Sequence, residues 1–337
     1  MMRLWLLIML AVFSANLRAG NYAQREDVQA FIEHMHRQHD FDVESLNALF
    51  RQTRPIAAVI KAIMPPRDPG VRSWRAYRGR FVEPKRIAAG RRFMHIHAAE
   101  LAAAEARYGV PGGIITAIIG IETLYGKQRG RFATFAALTT LAFDYPPRAE
   151  LFRRELEELL LLAREEHRQP LSYTGSYAGA LGLPQFLPSS RRRFAMDFDD
   201  DGRIDLDASP ADAIGSVANF LAEHGWQRDA PIADLVGISG DGVEALIAEG
   251  IAPQRSPRQM TALNVTLTRV GADATAMEDG NLSFPDRPAA LIDLITPNAT
   301  TEYRLGYRNF YVLTRYNRSS FYAAAVMDLA TELVKSK

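Results

Sequence analysis

Between Gly109 and Gly126 the chain reads GVPGGIITAIIGIETLYG, with Ile114, Ile115, Ile118, Ile119 and Glu122 recurring at steps of three and four. That period predicts an α-helix with Glu122 on the isoleucine stripe, begun by Pro111 and closed by Gly126. Burial disfavours the ionised form of such a carboxylate, and the negative end of the helix dipole disfavours it further. Both effects raise its pKa, which is what a general acid working near neutral pH needs. The competing possibility is a glutamate at the helix end that turns out to solvent.

The same pattern places helices on either side. Phe31, Met35, Phe41, Val43, Leu46, Leu49 and Phe50 are spaced for packed helices over 24–64, and Arg131–Phe143, the leucine-rich Ala149–His167 and Asp212–Gly225 continue in that style. From 229 to 300 the character changes to scattered Pro and Gly with short alternating runs, NVTLTRV and AALIDLI, which predict a small α/β or mostly β element. A final helix follows from Tyr322. The expected class is α+β, mostly α-helical.

Composition adds compartment and excludes some chemistry. The chain has 337 residues, 47% of them apolar, and a formal net charge of +1. It contains no cysteine, which removes disulfides, thiolate metal sites, cysteine nucleophiles and a lipid anchor on cysteine. Its start, MMR followed by LWLLIMLAVF and SANLRAG, has the basic, apolar and small-residue order of a secretory signal peptide ending near Ala19. The apolar stretch is short for a membrane span of about 20 residues. An uncleaved anchor is the rival; we expect removal of 1–19 and a soluble, exported, periplasmic protein with no stable membrane anchor.

Charge is local rather than global. Arg51 to Arg92 holds twelve Lys/Arg against Asp68 and Glu83, with Trp74, Tyr77 and Phe81 interleaved. Nucleic acid, a polyanionic glycan and a merely solvated basic face all fit this pattern; export favours the glycan, and no nucleic-acid partner is expected. His34, His36 and His39 lack the glutamate of an HExxH pattern and read as a polar helix face, not a metal site.

Two further stretches carry candidate chemistry. GSYAGALGLPQFLPSS, 175–190, has too many Gly and Pro for a regular helix and suits close approach of backbone to an extended ligand, with Ser176 and Gln185 as its polar side chains. DFDDDGRIDLDA, 197–208, matches a calcium loop at Asp197, Asp199, Asp201 and Gly202, with Arg203 offering its carbonyl. The twelfth position is Ala208 where a bidentate glutamate is usual; Asp212 could close a longer loop, and an acidic turn without a metal is the alternative.

Taken together, YGVPGGIITAIIGIETLYG, ALTTLAFDYPPRAELF, GSYAGALGLPQFLPSS, DFDDDGRIDL, DAIGSVANFLAEHGW and NFYVLTRYNRSSFY stand in an order that resembles the lytic murein transglycosylases of the membrane-bound B type, as a soluble relative. The resemblance implies a lysozyme-like core, with a signal peptide at 1–19, an N-terminal helical region at 20–75, the core at 76–228, a small inserted subdomain at 229–300 and a return to the core at 301–337. It implies Glu122 as the single catalytic acid and base, glycan-cleft roles for Tyr77, Arg148, Ser176, Gln185, Phe186, Tyr316, Asn317 and Tyr322, and a lengthened EF-hand-like calcium site. Peptidoglycan glycan strands would be the substrate and other cell-wall enzymes possible partners. Three positions depart from the family: Pro147-Arg148 keeps one of its two arginines, Pro184 replaces a glycine, and Phe220 replaces a tyrosine. A hydrolytic muramidase and a non-catalytic wall-binding protein stay open as other readings.

Overall fold

Two compact units divide the chain, 1–63 with 133–173 and 64–132 with 174–337. The computed structural model describes residues 21–65, 72–270 and 284–335; the expected signal peptide, and Arg67 and Asp68 of the basic segment, lie outside the described residues.

In the first unit are α1 (Glu26–His39), α2 (Val43–Gln52), α3 (Ala57–Ile63), α8 (Thr134–Asp144) and α9 (Ala149–Glu165). Asp40 ends α1 in the left-handed conformation, and the Asp42 carboxylate caps α2 by accepting from the Ser45 N–H at 2.7 Å. Phe31 meets Phe50 edge-on at 6.1 Å, and Phe50 meets Phe135 at 5.3 Å. The segment 134–165 therefore packs with the N-terminal helices, because its Phe and Leu stripe is complementary to theirs. The chain crosses between the units at the two-residue strands β1 (Phe132–Ala133) and β2 (Thr174–Gly175).

The second unit is built round α7 (Gly112–Thr123), against which α5 (Pro84–Ile96), α6 (Ala98–Tyr108), α11 (Pro210–Glu223) and α15 (Ser320–Val334) pack. Every residue of α7 except Glu122 is buried. The helix ends three residues before Gly126: Leu124, Tyr125 and Gly126 take successive positive φ of 49°, 56° and 84°. For the first two this costs about 1–2 kcal/mol each. The return is that Tyr125 folds back over the helix, where a Cβ at Gly120 would stand 2.4 Å from its hydroxyl.

Part of the basic segment is structural rather than a solvated face. From α4 (Trp74–Phe81) Arg78 pairs with Asp328 at 2.5 Å, and buried Arg86 donates to the Gly120 carbonyl at 3.0 Å near the end of α7. Arg75, Arg80, Lys85 and Arg92 remain exposed.

The segment of changed character forms one antiparallel sheet. Its strands β3 (Ala233–Ser239), β4 (Thr266–Arg269), β5 (Ala290–Leu294) and β6 (Glu302–Gly306) lie in the order β4-β3-β6-β5, with α12 (Val243–Ala248) and α13 (Pro257–Thr261) between β3 and β4. Alternate residues along β5 serve two cores: Ala290, Ile292 and Leu294 join the helical core, while Leu291, with Ala289 just before the strand, joins a smaller cluster with Val236, Leu267 and Leu305. The sheet reaches beyond residue 300, since β6 lies inside it, between β3 and β5.

Candidate active site

Because α7 is buried all round, Glu122 has no outward helix face to turn to; the residue is half-buried where α7 ends. Burial pushes its carboxyl up to about 7, against which the Tyr322 hydroxyl, donating to Oε1 at 2.7 Å, pulls it back down. Two other tyrosines feel its charge. Tyr77 on α4 is pushed up to about 12, and Tyr316, at the end of α14 (Arg308–Tyr316), is raised well above its ordinary value, in both cases first by burial and then by Glu122.

Local sequence fixes these side chains. Ser319 caps α15 by accepting from the Tyr322 N–H at 3.3 Å, which sets Tyr322 in the first turn. The Tyr316 ring lies within 10° of parallel to Tyr322 at 6.2 Å, and its hydroxyl donates to the Pro184 carbonyl at 2.5 Å. Phe186 packs against Tyr316 at 5.8 Å and Phe220 at 5.5 Å. Phe220, lacking a hydroxyl, serves purely as an apolar backing to this wall. On the Tyr77 side, Phe321 stands 5.7 Å away.

The 175–190 segment is irregular up to α10 (Pro188–Phe194), as its Gly and Pro content leads one to expect. A bridge from Leu181 to Phe186 folds it into a tight loop in which Gln185 has a φ of 52°. Gln185 donates to the carbonyls of Gly182 at 2.9 Å and Arg129 at 3.1 Å, and the Ser176 oxygen accepts from the Ala180 N–H at 3.0 Å. Both side chains thus shape the loop itself. Asn317 follows the last residue of α14 and is exposed. Arg148 belongs to the first unit, its guanidinium 5.5 Å over the Phe152 ring.

Thr123 went unnoticed in the sequence. Its hydroxyl donates to the Leu183 carbonyl at 3.0 Å and accepts from the Gly126 N–H at 3.0 Å, tying the helix end beside Glu122 to the 175–190 loop. Its place next to Glu122 was the available signal. The loop is held in turn by the acidic segment, because the Leu183 N–H donates to the Leu206 carbonyl at 2.8 Å.

In that acidic segment Asp197, Asp199 and Asp212 bring carboxylate oxygens within 4.8 Å of one another. Asp212 is buried; burial raises its pKa most, the N–H groups of Asp205 and Phe198 lower it, and the neighbouring charges of Asp199 and Asp197 raise it. Asp201 turns its Oδ1 to the Arg203 N–H at 2.9 Å, and Gly202 makes the turn at a φ of 85°. All-oxygen donors of this charge fit a hard divalent cation such as calcium.

The sequence matches the transglycosylase SLT domain family over residues 23–331. It is 36% identical over 319 residues to the membrane-bound lytic murein transglycosylase B of Escherichia coli (strain K12), spanning 92% of this chain and 83% of that protein. In structure it is similar to the soluble lytic transglycosylase SltB1 of Pseudomonas aeruginosa, at 42% identity and a TM-score of 0.81, covering 91% of this chain and 98% of that one. It is also similar to the Escherichia coli lytic transglycosylase Slt35 in complex with calcium, at 36% identity and a TM-score of 0.76, covering 94% and 95%.

Proposed function

The chain belongs to the transglycosylase SLT domain family and is a lytic murein transglycosylase, and from that premise we propose that Glu122 alone acts as acid and then base in making 1,6-anhydro-N-acetylmuramic acid ends. The observation that carries this is its buried carboxyl, held at about 7 against the Tyr322 hydroxyl. Such a group is substantially protonated at neutral pH and so can act as an acid there. It protonates the oxygen joining N-acetylmuramic acid to N-acetylglucosamine, and the C1–O bond breaks. The N-acetyl group of the muramic acid shields the cation developing at C1. Glu122, now ionised, removes the proton of the C6 hydroxyl, whose oxygen closes on C1.

Tyr77, Phe186, Tyr316 and Tyr322 present apolar and hydroxyl-bearing walls suited to sugar faces, while Ser176, Gln185 and Asn317 are assigned to the longer glycan contact. Two competing nucleophiles distinguish this reaction from hydrolysis. The C6 hydroxyl of the same sugar enjoys an effective concentration of up to about 10⁵–10⁸ M when well oriented. Water prevails only when a second carboxylate positions it. Digestion of peptidoglycan in ¹⁸O water is therefore expected to give muropeptides one water lighter than hydrolysis products, without label at the new sugar ends. Labelled reducing ends as the main product would make the enzyme a muramidase.

Calcium is assigned to Asp197, Asp199, Asp201, Asp212 and the Arg203 carbonyl, where it would neutralise crowded carboxylates and stiffen the segment that holds Leu183. Binding to the folded state alone contributes about 2.7 kcal/mol at a hundredfold excess over Kd. The melting temperature should be higher with calcium than with chelator, and Asp199→Ala should abolish the difference; an unchanged wild-type melting temperature would leave an ordinary acidic turn. The wall substrate and the leader-like start support a periplasmic location, with peptidoglycan glycan strands as the substrate. No helix among the described residues is long and apolar enough to cross a membrane.

A further inference from the structure

We propose that His34, His39 and Glu157 form a second metal site, for a zinc-class divalent cation that staples α1 to α9. The two imidazoles converge on one carboxylate: His34 Nε2 lies 3.2 Å from Glu157 Oε2, and His39 Nε2 lies 2.7 Å from Oε1. The rings stand 6.1 Å apart and nearly perpendicular, at 81°. Five residues along a regular helix is a turn of about 140°, so this convergence is not a by-product of helical spacing. His39 reaches inward as the last residue of α1, just before the left-handed Asp40, and the Arg164 guanidinium holds its carbonyl at 2.5 Å.

Two imidazole nitrogens and a carboxylate oxygen, all within 4.8 Å of one another, are the donor set of zinc sites that keep an open position. Zinc–ligand distances of about 2.0–2.2 Å place neighbouring tetrahedral ligand atoms roughly 3.4 Å apart, so small side-chain shifts from separations of 3.2 and 2.7 Å would admit the ion. Zinc would accept the Nε2 lone pair of each neutral imidazole, whose single proton would then sit on Nδ1, and one oxygen of the Glu157 carboxylate. His34 is 45% exposed while His39 and Glu157 are each 25% exposed, so an ion can enter and water can fill the open position. Imidazole favours zinc, copper or nickel over calcium, which separates this site chemically from the all-oxygen Asp197 segment. The polar-face reading of the three histidines fits His36, whose Nδ1 meets the Phe41 carbonyl at 2.9 Å, and in part the more exposed His34, while His39 is the more buried. Sequence alone could not pair the others with a glutamate 118 positions past His39.

The test uses the full chain, stripped of metal and then saturated with calcium, titrated with Zn²⁺ by calorimetry and by thermal melting. One equivalent of zinc should bind with a rise in melting temperature of about 5 °C at a hundredfold excess over Kd. His39→Gln and Glu157→Gln should each lose the rise, His36→Gln should keep it, and turnover of glycan should be unaffected by zinc at that stoichiometry. If one histidine variant folds poorly, His34→Gln reads the same site from the other side. A wild type whose melting ignores zinc, or a rise that survives both His39→Gln and Glu157→Gln, would overturn the site and leave a plain ion-paired triad; neither outcome bears on Glu122.

Discussion

Glu122→Gln should fold to the same structure and lose at least about 10²–10⁴-fold in rate on peptidoglycan, the usual share of general acid–base catalysis. Glutamine keeps the shape and can still accept from the Tyr322 hydroxyl, but it has no proton to give and cannot collect one from C6. The same substitution should raise stability, and with a particular dependence on pH. The folded carboxyl sits at about 7, above the value near 4.3 of an unfolded glutamate. Folding therefore favours the protonated form: its advantage is complete below about pH 4.3 and is lost as the pH rises through 7. Glutamine has no such loss, so the variant's melting temperature should pull ahead of the wild type's between those values and keep a constant lead above them. Near wild-type clearing of peptidoglycan sinks the assignment of the acid; a lead that is the same at pH 4 and pH 8 sinks the account of its burial.

The second large effect is an alkaline limb in the rate. With the acid at about 7 in the free enzyme, the protonated fraction falls by about 50-fold between pH 7 and pH 9, and kcat/KM with it. Tyr322→Phe tests what sets that limb. The tyrosine hydroxyl stabilises the carboxylate, so removing it leaves burial unopposed and moves the limb to higher pH. Loss of a merely structural contact would lower the rate evenly at every pH. The pH–rate profile of a soluble glycan fragment, followed for wild type and variant, separates the two; a limb that stays put or moves down refutes the role given to the hydroxyl.

Much of this site was legible in the chain because it rests on short-range patterns. The isoleucine stripe with Glu122, the Gly/Pro break at 175–190 and the aspartate spacing at 197–201 each state their chemistry locally. What stayed hidden depends on distant pairing. Nothing near Arg86 announces that its guanidinium satisfies a carbonyl of α7, and nothing near Thr123 announces Leu183. The three left-handed residues after Thr123 were missed for a similar reason, since local propensity favours stopping at Gly126 and only the fit of Tyr125 over Gly90 and Gly120 makes Leu124 and Tyr125 turn first. Helices 134–165 look like a continuation of the catalytic chain because their leucine pattern says only that they are buried, not against what.

The hydrogen bond between Glu122 and Tyr322 joins residues 200 positions apart. A chain that emerges N-terminal end first has its acid in hand long before it has the helix that encloses it. Until α15 joins it, the carboxyl lacks the Tyr322 hydroxyl that donates to it, and with it one of the two influences that set its acidity. The setting of the acid is thus completed by its own connectivity, through a helix that follows it by 200 positions.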